Sequence, residues 1–205
     1  MGGLFHRWPL PQMAPSESRS GRIEAGRGAH PQIRHDSVVS GAESVPEVGE
    51  MDLDKLQEIF RAFDTHEVEY AVFGAIALGL HGLARATADL DIFLAPDPDN
   101  VERLKTALRS VFDDPNIDDI SAEDLCGDYP AVRYFPPQGF AFDILTRLGD
   151  AFHYRDLECE VKHFEGAPVR VVSPRTLWNL KKDTVRPGDR MDAEALAERF
   201  GFEES

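Results

Sequence analysis

The chain has 205 residues, 42% of them hydrophobic, and a formal net charge of −15, which suits one acidic domain with a real core plus a tail. No apolar stretch is long enough to span a bilayer, and the Arg and Pro residues near the first Met predict no secretory signal. The excess of carboxylates argues against broad, non-specific nucleic-acid binding, which depends on cations that neutralise phosphate charge. Because Cys126 and Cys159 are too few for a disulfide scaffold or a zinc cluster, we expect a cytoplasmic protein.

The composition divides the chain into two parts. Residues 1–50 are rich in Gly, Pro, Ser, Arg and His and show no apolar period, which predicts a disordered leader. The composition changes at Met51, so residues 51–205 form the predicted working domain. Met51 or a neighbour is therefore a candidate for the start of the working protein.

The first predicted elements are a helix, a strand and a second short helix. Apolar residues recur at helical spacing over residues 53–63, and Asp52 is the predicted N-cap. Residues 70–73 then read as a buried strand, which stops at Gly74. Residues 75–80 resume as a short helix.

The next strand, within residues 85–94, carries two acids on one face. Its apolar residues alternate with Asp89 and Asp91, so both carboxylates point away from the core. Two ionised acids on neighbouring rungs repel each other unless a cation lies between them. Mg²⁺ bound to phosphate fits this need, since it takes one or two carboxylates and fills its other positions with water and phosphate oxygens. The strand therefore indicates nucleotide chemistry.

The rest of the chain mixes strands and helices. Asn100 is the predicted N-cap of a helix that continues to Phe112, and residues 113–130 are expected to be irregular and at the surface. Strands are predicted at residues 131–135 and 140–145, joined as a hairpin by the Pro- and Gly-containing residues 136–139. The remaining predicted elements are strands at residues 159–164 and 169–172 and helices at residues 174–183 and 190–200. This mixture predicts an α+β, or mixed α/β, domain.

Three features form one candidate site: Gly74 after a strand, Asp89 and Asp91 on the next strand, and Asp143 on a later apolar strand. A glycine at a strand-to-helix turn lets a phosphate approach the backbone. Three carboxylates can hold two Mg²⁺ ions across an in-line phosphoryl displacement. In that scheme Asp89 and Asp91 bind the metal that carries the triphosphate. Asp143 completes the second metal site and helps to deprotonate the attacking hydroxyl.

Each signal also has a purely structural interpretation. Asp89 and Asp91 could be a solvated strand face, Asp143 a paired structural acid and Gly74 a simple turn glycine. A lone histidine such as His81, beside a glycine, is more often a helix-end residue than a catalyst.

The segments 73–75, 85–91 and 142–144 resemble the nucleotidyltransferase superfamily with the polymerase-beta-like fold. The order of Gly74, His81-Gly82 and the Arg-x-Thr-x-Asp-x-Asp run is most similar to small bacterial enzymes of the AbiEii toxin type. The resemblance extends over roughly residues 53–200. It implies a short mixed sheet flanked by helices, C-terminal helices that close a nucleotide cleft, and transfer of a nucleoside monophosphate from an NTP to a hydroxyl.

The resemblance also implies a set of nucleotide-binding positions. These are Gly74, Ala75, Arg85, Thr87, Lys182 and Asp192. Lys182 would meet triphosphate charge, with Lys181 almost as good a candidate, and Asp192 could orient that lysine or contact the nucleotide. Two positions depart from the family pattern: Ala75 replaces Gly or Ser, and Gly188 replaces a common lysine.

The expected cofactor is Mg²⁺ at a two-metal site, and the expected partners are an NTP, an acceptor and an antitoxin protein, with no membrane. The acceptor could be a tRNA end, a protein or a small molecule such as an aminoglycoside, and the acidic surface favours a cationic small molecule or protein over bulk RNA. A second hypothesis is a catalytically weak nucleotide-binding or interaction module on the same fold, favoured by Ala75 and Gly188.

Overall fold

In the computed structural model, the described residues are 51–127, 130–137 and 139–203, so the predicted leader lies outside them. Their helices are α1 (Leu53–Thr65), α2 (Gly74–Leu80), α3 (Pro98–Val111), α4 (Ala122–Cys126), α5 (Pro174–Lys181) and α6 (Pro187–Phe200). Their strands are β1 (Tyr70–Val72), β2 (Asp89–Leu94), β3 (Ala131–Tyr134), β4 (Ala141–Leu145), β5 (Arg147–Leu148), β6 (Phe152–His153), β7 (Cys159–Phe164) and β8 (Ala167–Val172). Within these described ranges, no helix has both the length and the apolarity needed to cross a membrane.

Six strands form one mixed sheet in the order β3-β4-β2-β1-β8-β7, and β5 and β6 form a separate two-stranded hairpin. The pairs β2/β4 and β1/β8 are parallel, whereas β1/β2, β3/β4 and β7/β8 are antiparallel. The parallel strands β2 and β4 are neighbours inside the sheet, and their register aligns Asp91 with Asp143. The prediction of a mixed sheet flanked by helices is confirmed.

The core lies between the sheet and α1 with α3. Phe60 and Phe63 of α1 are fully buried, as are Leu90 and Ile92 of β2. The ring of Phe112, just after α3, packs edge-on against Phe142 of β4 at 6.1 Å between centroids. Burying each such side chain stabilises the fold by roughly 1.5–3 kcal/mol. The apolar face of β2 and β4 is therefore fixed against these helices, and their acidic residues occupy the opposite face.

Two predicted helix starts have different outcomes. Asp52 caps α1 as predicted, because its side chain accepts hydrogen bonds from the N–H groups of Asp54 and Lys55. The prediction of Asn100 as the cap of α3 is wrong. Asp97 caps that helix, and Pro98 takes its first turn, where the missing N–H costs nothing.

Asn100 instead lies buried inside the first turn of α3. Its side chain accepts from the N–H of Glu69 at 2.8 Å and donates to the carbonyl oxygens of Glu69 and Ala95 at 2.9 and 3.1 Å. These three hydrogen bonds fasten α3 to the chain just before β1 and just after β2.

The acidic segment after α3 is more ordered than expected. It forms a 3₁₀ turn at Pro115–Asp119 and the short helix α4. Asp114 is buried, and its side chain accepts a hydrogen bond from the hydroxyl of Tyr134 at 2.9 Å. The expectation of a surface position is therefore wrong for Asp114, because a partner from β3 compensates its burial.

Candidate active site

Asp89, Asp91 and Asp143 lie on one face of the two neighbouring parallel strands β2 and β4. Asp91 of β2 is directly opposite Asp143 of β4, and Asp89 lies one rung before Asp91 on the same face. Neighbouring strands are about 4.8 Å apart, so this register places all three carboxylates within one small area. The structure therefore brings together the three acids that the sequence predicted as a group.

Burial and mutual repulsion change how these acids titrate. Burial, followed by the charges of Asp89 and Asp143, raises the pKa of Asp91 to about 8, although Lys181 and Arg85 oppose the shift. Burial also raises the pKa of Asp143, and the charge of Asp89 adds to this effect against the opposing charges of Arg133 and Arg186. Both shifts indicate a place where negative charge lacks compensation.

Gly74 leaves the space that the Asp91 side chain occupies. It begins α2 directly after β1 with a φ of +64°, a conformation that favours glycine. A Cβ built at this position would overlap Oδ2 of Asp91 and lie 2.7 Å from its Cγ. The Phe73 N–H donates to the Asp91 carbonyl oxygen at 3.0 Å, which holds the two strand ends together. Gly74 is therefore required by a close approach as well as by its backbone conformation.

Thr87 and Arg133 hold the other two carboxylates. The Thr87 hydroxyl donates to Oδ1 of Asp89 at 2.7 Å, so this threonine orients an acid. Nη2 of Arg133 donates to Oδ2 of Asp89 and Nη1 donates to Oδ2 of Asp143, each at 3.3 Å. One arginine thus bridges two acids on different strands.

A buried ion-pair network connects α5 and α6 to the acidic face. Nζ of Lys181 lies 2.7 Å from Oδ1 of Asp189 and 2.8 Å from Oδ2 of Asp192. Nε of Arg85 lies 3.2 Å from Oδ1 of Asp192, so this aspartate bridges two cations. Because Lys181 and Arg85 both lower the pKa of Asp91, the network acts electrostatically on the carboxylates.

The structure places Lys181, rather than Lys182, against Asp192. The Lys182 ammonium lies 4.4 Å from the centroid of the Trp178 ring and lines another cavity, of about 490 Å³. Of the two alternatives that the sequence left open, Lys181 is the lysine that Asp192 orients. A nucleotide contact from Lys182 stays a prediction.

A cavity of about 370 Å³ lies beside this network. It is lined by Arg85, Arg186, Gly188, Asp189, Met191 and Asp192. A Cβ added at Gly188 would meet nothing within 4 Å, so the position where a lysine is common opens into space. Arg186 supplies a cation two residues earlier.

Ala75 and His81 occupy buried positions. Ala75 is 3% exposed, so its methyl group packs inside the fold. The His81 Nε2 donates to the carbonyl oxygen of Val172 at 2.8 Å, and its Nδ1 lies 3.5 Å from a carboxylate oxygen of Glu160. These contacts fasten the end of α2 to β8 and β7, which fits the structural interpretation of this histidine.

Sequence reasoning missed Arg133, Arg186 and Asp189 as neighbours of the site. Arg133 is directly opposite Asp143 in the β3/β4 pair. The predicted hairpin already placed these two residues near each other, so an opposite-charge pair across it could have identified Arg133. Arg186 and Asp189 lie in the segment that matches the family's Arg-x-Lys-Asp-x-x-Asp pattern, which could have identified them, but their distance from the carboxylates depends on how α6 packs.

The donor set fits a hard divalent cation. Carboxylate oxygens are the ligands that Mg²⁺ prefers, and the repulsion among these three acids is the kind that a bound cation relieves. Within the ranges that the structure describes, no group of three His, Cys, Asp or Glu side chains could hold a metal ion by itself. A Mg²⁺ ion at a nucleotide site takes one or two carboxylates and completes its shell with phosphate and water. Asp89, Asp91 and Asp143 are the residues that would hold it.

Comparison with solved structures identifies the fold. The lincosamide antibiotic adenylyltransferase LnuA, in its lincomycin-bound structure, superposes with a TM-score of 0.51 at 12% identity over 72% of this chain and 98% of its own. The mixed sheet therefore has the fold of this nucleotidyltransferase. Two further structures give lower TM-scores: 0.44 for the Thermotoga maritima protein TM1012, at 17% identity over 73% and 92% of the two chains, and 0.47 for ANT(2")-Ia with adenylyl-2"-tobramycin, at 15% identity over 73% and 89%.

The family match is more specific. The model of the family described as nucleotidyl transferase AbiEii toxin, type IV TA system, matches residues 57–186. The chain belongs to this family and is a nucleotidyltransferase, and the family description relates it to toxin–antitoxin systems. This match confirms the resemblance found in the sequence. No curated protein matches the chain.

Proposed function

We propose that the chain transfers a nucleoside monophosphate from a Mg²⁺-bound NTP to a hydroxyl group, with Asp89, Asp91 and Asp143 as the catalytic carboxylates. The observation that carries this proposal is the alignment of these acids on one face of β2 and β4, beside Gly74. Family membership supports the reaction class, and the donor chemistry of the acids supports the metal.

The chemistry assigns one task to each part of the site. The acceptor oxygen attacks the α-phosphorus, the bond to the β-phosphate oxygen breaks, and pyrophosphate leaves with that electron pair. Asp143 accepts the acceptor's proton, a task suited to a carboxylate whose pKa burial raises. Bound Mg²⁺ supplies Lewis-acid stabilisation of the phosphate charge. Asp89 and Asp91 supply its oxygen ligands, and Thr87 keeps Asp89 oriented.

The nucleotide would lie between the acids and the cations of α5 and α6. Arg85 and Arg186 line the cavity of about 370 Å³ next to the carboxylates. Lys181 is fixed between Asp189 and Asp192, so its ammonium is held at this position. These cations suit the charge of a triphosphate. We assign the triphosphate to this side of the site, and Lys182 is a further candidate at its edge.

The acceptor is proposed from charge. A tRNA end, a protein and a small molecule all offer hydroxyl groups, but the net charge of −15 favours a cationic small molecule or a protein over bulk RNA. An antitoxin protein is the proposed partner, in keeping with the family's toxin–antitoxin context.

A labelling experiment tests the proposal. The full chain is incubated with each α-³²P-labelled NTP, Mg²⁺ and, in separate reactions, total bacterial tRNA, a cell-protein extract or an aminoglycoside. We expect label on one acceptor class, and Asp89→Asn should remove it because a neutral amide is a poor ligand for Mg²⁺.

The matched control is Asp113→Asn, which makes the same change at an exposed acid after α3. This variant should label as the wild type does. NTP binding without labelled acceptor or released pyrophosphate, in the wild type as in Asp89→Asn, would contradict transfer and favour a nucleotide-binding module.

A further inference from the structure

We infer that Arg133 is an internal counter-cation that holds Asp89 and Asp143 together before a metal ion binds, and that metal binding displaces its guanidinium. The inference rests on the proposed function, because it concerns the carboxylates assigned there to Mg²⁺. It makes Arg133 a positioning residue that controls when metal enters the site.

The geometry places one guanidinium between two acids. Arg133 lies directly opposite Asp143 in the β3/β4 pair, and Asp143 is in turn directly opposite Asp91. From this position its two terminal nitrogens reach Oδ2 of Asp89 and Oδ2 of Asp143, both at 3.3 Å. Arg133 thus lies against the oxygens that a bridging cation would use.

Partial burial makes this bridge stronger than a surface ion pair. The side chain of Arg133 is 21% exposed, and those of Asp89 and Asp143 are 30% and 27% exposed. Ion pairs with so little exposure are screened less by water and salt. Without a metal ion, Arg133 therefore keeps these two like charges in register.

A metal ion and this guanidinium compete for the same place. Mg²⁺ holds its ligands at about 2.0–2.1 Å, and a unit positive charge a few ångströms away repels it strongly in a partly buried site. In the bridging position the guanidinium also lies over the exposed ring of Phe135, whose centroid is 5.3 Å from Cζ of Arg133.

The competition has a consequence for the order of binding. A metal ion alone must overcome the Arg133 bridge, whereas a metal bound to a triphosphate arrives with negative charge that can itself attract the guanidinium. Arg133 therefore favours entry of the metal together with the nucleotide over entry of the metal alone.

The test is a titration of the full chain with Mn²⁺ in the absence of nucleotide, followed by the electron paramagnetic resonance signal of unbound Mn²⁺. Arg133→Met should bind Mn²⁺ at least about tenfold more tightly than the wild type, because it removes a competing positive charge. Adding Asp89→Asn to Arg133→Met should abolish this gain.

Arg103→Met is the matched control. Arg103 also contacts two polar side chains, Glu69 and Asn100, but they lie at the opposite end of β1 from the carboxylates. Its removal makes the same change of charge, and Mn²⁺ affinity should stay at the wild-type value.

Two results separate the failure of this inference from the failure of the proposed function. If the wild type binds Mn²⁺ through Asp89 and Arg133→Met binds it equally or more weakly, the inference is wrong and the metal site stands. If Mn²⁺ binding is independent of Asp89 and Asp143 in every variant, the metal part of the proposed function fails as well.

A measurement on the wild type covers the case in which Arg133→Met does not fold. The side-chain Nε–H resonance of Arg133, assigned with Arg133→Lys, should shift in step with saturation by Mg²⁺. An unchanged resonance at saturating metal would overturn the displacement.

Discussion

The shifted pKa of Asp91 can be tested by measuring the stability of the protein at several pH values. Its pKa is raised to about 8 by burial and then by Asp89 and Asp143, whereas an ordinary aspartate has a value of 3.8. Between these two values the folded protein binds a proton that the unfolded chain has released. The free energy of unfolding therefore contains a contribution that is fully present below about pH 4 and is lost as the pH rises to 8.

Asp91→Asn should remove this loss of stability in the metal-free protein. At about pH 8.5 in the presence of a chelator, we expect the variant to be more stable than the wild type by on the order of a few kcal/mol. The difference should shrink as the pH falls towards 4. Urea denaturation at several pH values measures it, with the exposed Asp113→Asn as the control that should keep the wild-type slope. A variant that is less stable than the wild type at high pH would contradict this account.

Gly74 gives a second prediction at the scale of one residue. Gly74→Ala places a methyl group where the Asp91 carboxylate lies and forces a residue with a side chain to hold a φ of +64°. We expect transfer activity to fall by roughly a hundredfold or more, since the displaced carboxylate no longer lines the site, and stability to fall by about 1–2 kcal/mol.

Gly79→Ala is the natural control for this change. It lies in the same helix, a Cβ there meets nothing within 4 Å, and alanine favours a helix over glycine by up to about 1 kcal/mol. Its activity should equal that of the wild type and its stability should rise slightly. Equal activity of Gly74→Ala and Gly79→Ala would mean that the position of the Asp91 carboxylate does not matter.

At the scale of an element, the two adjacent lysines at the end of α5 differ in their burial and in their contacts. Lys181 is 7% exposed and pairs with Asp189 and Asp192 of α6, so Lys181→Met removes the cation that these two acids share and leaves Asp192 with Arg85 alone. We expect the free energy of unfolding to fall by about 3 kcal/mol. Lys182→Met loses a contact with the Trp178 ring and should cost less than about 1 kcal/mol. Chemical denaturation of both variants measures the contrast, and equal losses would contradict the assignment of Lys181 to the network.

Patterns with a local cause were predictable from the sequence. Alternation fixed the face of Asp89 and Asp91, and the spacing of apolar residues gave α1 with its cap at Asp52. The hairpin of β3 and β4 followed from two apolar runs around a Pro-Gly turn, and it placed Asp143 on the face opposite the core. In each case the physical preference acts within a few residues along the chain.

Positions that depend on distant packing were not predictable in this way. From its local sequence Asn100 looks like an N-cap. Its side chain instead forms hydrogen bonds with the backbone of Glu69, some thirty residues earlier, and so holds α3 against the chain before β1. The choice between Lys181 and Lys182 depends on the rotation of α5 against α6, which no local pattern encodes. The bridge from Arg133 to Asp89 connects residues 44 positions apart, so it required the strand order of the sheet.

The net charge of the whole molecule determines how strongly we expect it to bind a polyanionic acceptor such as RNA. With a net charge of −15, the chain should bind random-sequence RNA weakly at physiological salt, with a shallow dependence of affinity on salt concentration, because it displaces few counter-ions. Fluorescence anisotropy with a labelled RNA at several salt concentrations measures both quantities. Tight binding with a steep salt dependence would show a basic surface that outweighs the net charge, and would favour RNA as the acceptor.

The ion pair between Arg85 and Asp192 has a consequence for the time at which activity appears during synthesis. The residues around the carboxylates are spread along the sequence from Gly74 to Asp192. When the ribosome has translated the three acids, it has not yet made Asp192, which pairs with Lys181 and Arg85. A nascent chain released before residue 192 lacks this aspartate, so we expect transfer activity only after that helix has been translated.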